Sequence, residues 1–302
     1  MKINHNEIFK YYQIGEYPSV EKLYSIGDIH GDLKAFILVL QSAKLIDKNL
    51  HWCGGSAHVI QVGDILDRKI RDVEYSDEDS EITIISLICQ LQLESYIAGG
   101  GFHPIIGNHE LMNILGIFDY VSPMGMSHFK SVKDRHEYFK IGGIFCQYLA
   151  CGWNPVIKFG NFIFCHGGIS SNISNKYTIQ RINGIMRETL YGNANNLNED
   201  YFKELFLHKD SILWNRDYAC DISNESEKIE LKKLNETLKK YNAKYIVIGH
   251  TPQQNGIKVR FDNKVFCIDT GMSEAFGKKS TDKLERIHYL EILERANKIL
   301  LN

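Results

Sequence analysis

Five short apolar runs in this chain each end in a glycine-bearing turn that carries Asp, Asn or His. The first run, Lys22 to Ile26, leads into Gly27-Asp28-Ile29-His30-Gly31-Asp32. A run of that length reads as a buried strand, and in an extended chain residues i and i+2 face the same way. Asp28 and His30 can therefore aim at one divalent cation, while Gly27 and Gly31 let the backbone turn beside it. Taken alone, the cluster also reads as an ordinary strand-to-helix turn with Asp32 as the N-cap.

The later runs repeat the arrangement. Val59 to Gly63 leads into Gly63-Asp64-Ile65-Leu66-Asp67-Arg68, and Phe102 to Ile106 into Gly107-Asn108-His109-Glu110. Asn161 to Cys165 runs into His166-Gly167-Gly168, and Lys244 to Gly249 into His250-Thr251-Pro252. Each residue has a local alternative: Asp64 as a turn-former, Asn108 in an Asx-turn, His166 as a buried histidine, His250 as a neighbour of an N-cap. Ligands of open α/β sheets bind at the carboxyl ends of strands. Repeated placement of such residues there favours one shared site.

Between these runs the spacing of Leu33, Phe36, Ile37, Leu40 and Leu45 predicts a helix, as does that of Ile82 to Tyr96. Residues 111–140 read as helical pieces around Ser122-Pro123, Phe139 to Trp153 as one buried helix, and 176–242 as mainly helical. Val156 to Gly160 and Asn161 to Cys165 read as strands about a Gly160-Asn161 turn. Ile257 to Phe261 and Val265 to Asp269 read as a hairpin about Asp262-Asn263, and 285–293 as a last strand. Alternating strands and helices predict a parallel sheet in the first half. Closely spaced strands predict antiparallel pairing in the second. The acidic run Asp72, Glu74, Asp77, Glu78, Asp79 and Glu81 predicts a solvated loop. No repeat or linker interrupts the chain, so residues 1–21 read as a lead-in, 22–295 as a single domain and 296–302 as a short tail.

A chain of 302 residues can bury a sizeable core. A net charge of -2 gives no push toward nucleic acid or an anionic membrane. No run approaches the ~18 apolar residues of a membrane span, and Met1 to Gly15 lacks the apolar core of a signal peptide. Seven irregularly spaced cysteines, several inside apolar runs, suit a reducing compartment. A cytoplasmic or otherwise intracellular soluble protein is expected.

Asp28, His30, Asp64, Asn108, His166 and His250 supply two carboxylates, three imidazoles and an amide oxygen. That is too many donors for one ion with an open position. Without thiolates the set suits Mn, Fe or Zn. Two-metal sites clamp a phosphoryl group and generate a hydroxide nucleophile near neutral pH. The leaving alkoxide then needs a general acid, and His109 is the candidate, with Asp67 to orient it. Phosphate oxygens favour Arg donors. Arg68 and Arg216 are available, although Arg216 also reads as a surface arginine beside a buried Trp214.

The motif order Gly-Asp-x-His-Gly, Gly-Asp-x-x-Asp-Arg, Gly-Asn-His-Glu, His-Gly-Gly, Gly-His-Thr resembles the calcineurin-like metallophosphoesterases, and within them the phosphoprotein phosphatase group. The resemblance runs from residue 22 to about 276. Gly107 to Asn113 with Tyr120-Val121, Leu213 to Ala219, and Gly249 to Gln253 with Asp269 to Met272 look like the Shewanella-like phosphatases. The resemblance implies a mixed α/β fold with a central β-sandwich flanked by helices and a dimetal site at strand ends. It implies that Asp28, His30 and a bridging Asp64 hold one divalent ion, and that Asp64, Asn108, His166 and His250 hold the other. By the same resemblance His109 is the acid, Asp67 its partner, and Arg68, Arg216 and Asn108 meet the substrate phosphate.

The implied reaction is hydrolysis of Ser/Thr or Tyr phosphomonoesters in a phosphoprotein or phosphopeptide, by direct attack of metal-bound hydroxide without a phosphoenzyme. Two positions depart from the pattern. Lys69 stands where the family usually has Gly after Asp-Arg, and Ile106 where eukaryotic protein phosphatases have Arg. Hydrolases of dinucleoside polyphosphates or capped RNA share the motif order and are the first rival reading. An inactive phosphate-binding scaffold is a second, expected to lack His109, an Arg or a ligand, and none is missing here.

Overall fold

The computed structural model describes residues 5–69, 77–277 and 286–302. In chain order the elements are α1 (His5–Gln13), β1 (Glu16–Tyr17), β2 (Lys22–Ile26), α2 (Leu33–Ser42), β3 (His58–Gln61), α3 (Glu81–Ile97), β4 (Gly101–Pro104) and α4 (Asn108–Ile114). Then come α5 (Pro123–Ser127), α6 (Val132–Phe139), α7 (Ile144–Gly152), β5 (Val156–Phe159), β6 (Phe162–Cys165), α8 (Ser171–Lys176), α9 (Ile179–Leu190) and α10 (Asp200–Phe206). The chain closes with α11 (Asn224–Lys240), β7 (Tyr245–Ile248), β8 (Lys258–Arg260), β9 (Val265–Cys267), β10 (Tyr289–Leu293) and β11 (Lys298–Leu301). Asp32 caps α2, its side chain accepting the Ala35 N–H.

The strands form two sheets, in the orders β11-β10-β2-β3-β4 and β1-β5-β6-β7-β9-β8. Alternate side chains of one strand enter different cores, as a period of two requires. Leu23, Ile60, Phe162, Phe164, Val247 and Phe266 pack between the sheets, with Leu290 and Ile292 of β10. Their strand neighbours Tyr24, Val59, Ile163, Cys165, Ile246 and Val265 pack toward the helices. Sheets covered on both faces explain why the strands read as continuous apolar runs. The result is a central β-sandwich with helices outside it, a mixed α/β fold.

β2, β3 and β4 are parallel neighbours, and so are β6 and β7. Their carboxyl ends therefore emerge at one rim. Several expectations change in detail. The first sheet is completed by β10 and β11, both antiparallel. The second is mixed rather than antiparallel, since β7 runs parallel to both β6 and β9. Residues 296–302 are not a loose tail, because Lys298–Leu301 pairs with β10. The lead-in also joins the core: β1 pairs with β5, and Ile8, Tyr12 and Tyr17 are buried. The helix expected from Phe139 to Trp153 starts later, as α7 from Ile144: Phe139 is the last residue of α6, and the chain turns between them at Gly142-Gly143, where Gly142 takes a φ of 73°. Asp72 and Glu74 lie outside the described residues. Glu81 is buried rather than solvated, and opens α3. Among the described residues no helix is long and apolar enough to cross a membrane.

Candidate metal centre and active site

Four non-glycine residues at the rim have left-handed backbones: His30 (φ 43°), Asp64 (54°), Asp67 (72°) and His250 (69°). Side chains with a Cβ rarely adopt this region, and such strain gathers at functional sites. Close approach does the rest. A Cβ on Gly249 would collide with Asp28 Oδ1, and one on Gly107 with Asp64 Oδ1. The glycines of these turns leave room for the carboxylates.

Asp64 is the hub. Its Oδ2 lies 3.1 Å from His166 Nε2, 3.7 Å from His30 Nε2 and 3.8 Å from His109 Nε2. Among the described residues, two groups of three have donor atoms all within 4.8 Å of one another: His30, Asp64 and His109, and Asp64, His166 and His250. Both contain Asp64, as a bridging ligand requires. Asp28 is in neither trio. It joins the site through Oδ2, which accepts the His250 N–H at 2.9 Å, while Oδ1 is buried without a hydrogen-bond partner. Asn108 closes on the second trio, with Oδ1 2.8 Å from His166 Nε2.

The imidazoles are set as ligands. A backbone carbonyl can only accept, so the ring nitrogen facing it carries the proton. His30 Nδ1 faces Leu66 O at 3.1 Å and His166 Nδ1 faces Val62 O at 2.8 Å. Each then turns its Nε2 toward Asp64. His166 Nε2 faces two oxygens, and, against burial, the charge of Asp64 raises this imidazole above the usual range, so a cation there would take the place of a proton. His250 Nε2 is likewise buried without a partner, and burial holds its imidazole well below the usual range, in the neutral form. Burial, then the charges of Asp269 and Asp64, push Asp28 well above the usual carboxylate range. Orphaned donors and mutually repelling carboxylates fit divalent cations.

Beside this set, His109 Nδ1 is 2.6 Å from Asp67 Oδ2. Tyr120, 42% exposed, makes a T-shaped ring contact with His109 at 5.1 Å between centroids. Phe276 packs on His30 at 5.1 Å and Trp214 on His250 at 5.9 Å. Arg216 is exposed, and its Nη1 donates to His250 O at 3.1 Å and Thr251 Oγ1 at 3.0 Å. Arg68 is not presented in that way. It is 1% exposed, with Nη1 2.9 Å from Asp32 Oδ2 and 3.6 Å from Glu78 Oε1, and Nη2 3.7 Å from Glu274 Oε2. Lys69 ties its turn to the loop of Tyr120, donating its N–H to Tyr120 O at 2.9 Å. Ile106 is fully buried and its N–H meets Asn154 O.

Sequence reasoning missed Glu110. It is fully buried, and its carboxylate accepts four backbone N–H groups, from Gly107, Asp64, Ile65 and Leu66, at 2.8–3.1 Å. A Glu three residues past the helix-opening glycine was a usable sign of this. It also missed Asn113 and Arg135 behind Asp67, for which no local pattern speaks.

Residues 22–254 match the family model for calcineurin-like phosphoesterases. Shewanella-like protein phosphatase 1 of Plasmodium berghei (strain Anka) is 34% identical over 255 residues, covering 83% of this chain and 67% of that protein. Shewanella-like protein phosphatase 2 of Arabidopsis thaliana is 28% identical over 297 residues, covering 84% and 72%. The crystal structure of a cold-active protein-tyrosine phosphatase of a psychrophilic Shewanella shares the fold, with a TM-score of 0.77 at 24% identity over 96% of this chain and 84% of that one. The chain therefore belongs to the calcineurin-like phosphoesterase family, and is a metal-dependent phosphatase.

Proposed function

We propose that this phosphatase acts on phosphoproteins and holds two divalent ions, each Mn, Fe or Zn. Asp28, His30 and Asp64 would hold one, and Asp64, Asn108, His166 and His250 the other. Two trios sharing Asp64 support two ions; in the first of them His109 stands where Asp28 is proposed, and Asp28 reaches the site beside the His250 N–H. When bound, the ions supply Lewis acidity toward the phosphoryl oxygens and a nucleophile at neutral pH.

The chain's own residues do the rest. Arg216 reaches the phosphate from beside His250. Arg68 joins it only by exchanging Asp32 and Glu78 for phosphate oxygens. Asn108, beside the second set, meets the phosphate from the metal side. His109, held by Asp67, gives the proton on Nε2 to the leaving oxygen as the P–O bond breaks. A water releases one proton to solvent, and its oxygen forms the new bond to phosphorus. A cysteine nucleophile is disfavoured: Cys165, next to His166, is fully buried, and burial pushes its thiol far up, whereas a reactive cysteine needs a lowered pKa. All seven cysteines are free, consistent with an intracellular protein.

Phosphotyrosine is the proposed preference among phosphoresidues. Tyr120, Phe276 and Trp214 ring the site, and offset or edge contacts favour an aryl group. The Shewanella relative bears the name protein-tyrosine phosphatase.

Manganese-loaded protein should be assayed on phosphotyrosine, phosphoserine and phosphothreonine peptides and on diadenosine tetraphosphate. Peptides should be hydrolysed, phosphotyrosine fastest. His109→Asn should cut kcat by at least ~100-fold with metal content unchanged. Preference for the dinucleotide would overturn the substrate class. Surviving turnover in the variant would overturn the acid.

A further inference from the structure

The acid pair His109–Asp67 is backed by a chain of buried groups that ends in one arginine. Asp67 Oδ1 accepts from Asn113 Nδ2 at 2.8 Å. Asn113 Oδ1 accepts from Arg135 Nε at 3.0 Å and from its Nη2 at 2.7 Å. The same Nη2 donates to Glu81 Oε2 at 2.9 Å, and Glu81 Oε1 accepts the Asp67 N–H at 2.8 Å. Arg135 Nη1 is bonded to Gly125 O at 3.0 Å. Arg135, Asn113 and Asp67 are fully buried, and Glu81 is 2% exposed.

Arg135 thus reaches Asp67 by two hydrogen-bonded routes, besides a direct charge contact of 3.9 Å from its Nη2 to Asp67 Oδ1. Through Asn113 it reaches the carboxylate, and through Glu81 the backbone, at a residue whose φ of 72° needs holding. The polarity of the first route is forced. Arginine has no acceptor, so the amide must turn its oxygen to Arg135 and its NH2 to Asp67. That bond fixes Oδ1 and leaves Oδ2 for His109 Nδ1. Phe139, Phe129 and Phe118 surround the guanidinium with ring centroids at 4.7, 5.4 and 5.6 Å. A guanidinium sealed from water is costly unless fully paired, and such networks are poor evidence for stability alone.

We propose that Arg135 is a positioning residue for proton delivery to the leaving group, acting on His109 through Asn113 and Glu81. The inference rests on His109 being the general acid. Its signature is selectivity for the leaving group. An oxygen that leaves as a stable anion needs no proton, whereas a more basic one does.

The test uses manganese-loaded wild type, Arg135→Lys, His109→Asn and the double variant, on phenyl phosphate and 2,4-dinitrophenyl phosphate. Thermal unfolding and metal content are measured for each. Arg135→Lys should lower kcat on phenyl phosphate by about 10- to 100-fold and on the dinitrophenyl ester by less than about threefold. Added to His109→Asn, it should cost no more than about twofold further on phenyl phosphate. Equal losses on both esters, or full additivity, would overturn the proposal. If His109→Asn itself showed no leaving-group selectivity, the acid assignment would be what fails. Should Arg135→Lys not fold, Asn113→Ala cuts the same link and must show the same selectivity, or the proposal falls.

Discussion

Glu110 shows how one side chain can brace a candidate metal site from behind. Its two oxygens collect the N–H groups of Gly107, Asp64, Ile65 and Leu66, so it pins the turn on which Asp64 rests. Burial, then the charge of Asp64, push its carboxyl up to about 7, while the four donors favour the anion. Glu110→Gln keeps the shape but turns an NH2 toward backbone N–H groups. Manganese affinity should fall by about 10- to 100-fold, the usual cost of losing a group behind a ligand. Competition against a chelator measures it, and unchanged affinity would show that the turn holds without Glu110. The candidate ligands were legible because each follows an apolar run in a glycine turn. The groups behind them were not. Arg135 meets Glu81 across 54 residues and Asn113 across 22, contacts that only the fold creates. Nor could sequence foretell that Arg68 would be enclosed by Asp32, Glu78 and Glu274.

At the scale of elements, strands buried on both faces announce themselves, so β2, β3, β4, β6 and β7 were found close to their true limits. Two edge strands do not: β1 is two residues long and β11 has no fully buried residue, so each is a strand only by its partner. Gly142-Gly143 hid inside an apolar run that otherwise reads as one helix. β3 and β4 also carry a pair of histidines, His58 as the first residue of β3 and His103 as the third of β4. His58 Nδ1 lies 3.2 Å from His103 Nε2. Burial pushes His58 down from 6.5 to about 4, and burial and then His58 push His103 lower as well. The unfolded chain takes up these protons near pH 6.5. Between pH 6.5 and 4 the unfolded state therefore binds more protons, and stability falls as pH falls. For His58 the full loss is ~3 kcal/mol. Urea unfolding at pH 7 and pH 5 should show a smaller acid loss in His58→Phe than in wild type. Equal losses would place the acid sensitivity elsewhere.

Across the whole molecule the candidate ions would join what the backbone leaves separate. His30, Asp64 and His109 follow β2, β3 and β4 of one sheet, whereas His166 and His250 follow β6 and β7 of the other. An ion held by Asp64, His166 and His250 spans the sandwich, and Asp28 spans it again through the His250 N–H. Metal should therefore act as a stabiliser of the entire fold. Binding only to the native state contributes ~4 kcal/mol at a thousandfold excess over Kd, so chelation should lower Tm by several degrees. The carboxylates that gain from the ion oppose one another without it. Asp28 is buried with Asp269 and Asp64 as its main repulsive neighbours, and one of its oxygens has no partner. Asp28→Asn removes that repulsion and keeps the oxygen that accepts from His250. The variant should melt higher than wild type when both are metal-free, yet gain less on adding manganese. Thermal scans of both proteins with chelator and with manganese measure the two differences. If the metal-free variant melted lower while keeping the full manganese shift, Asp28 would be a structural carboxylate and the first ion would need other ligands.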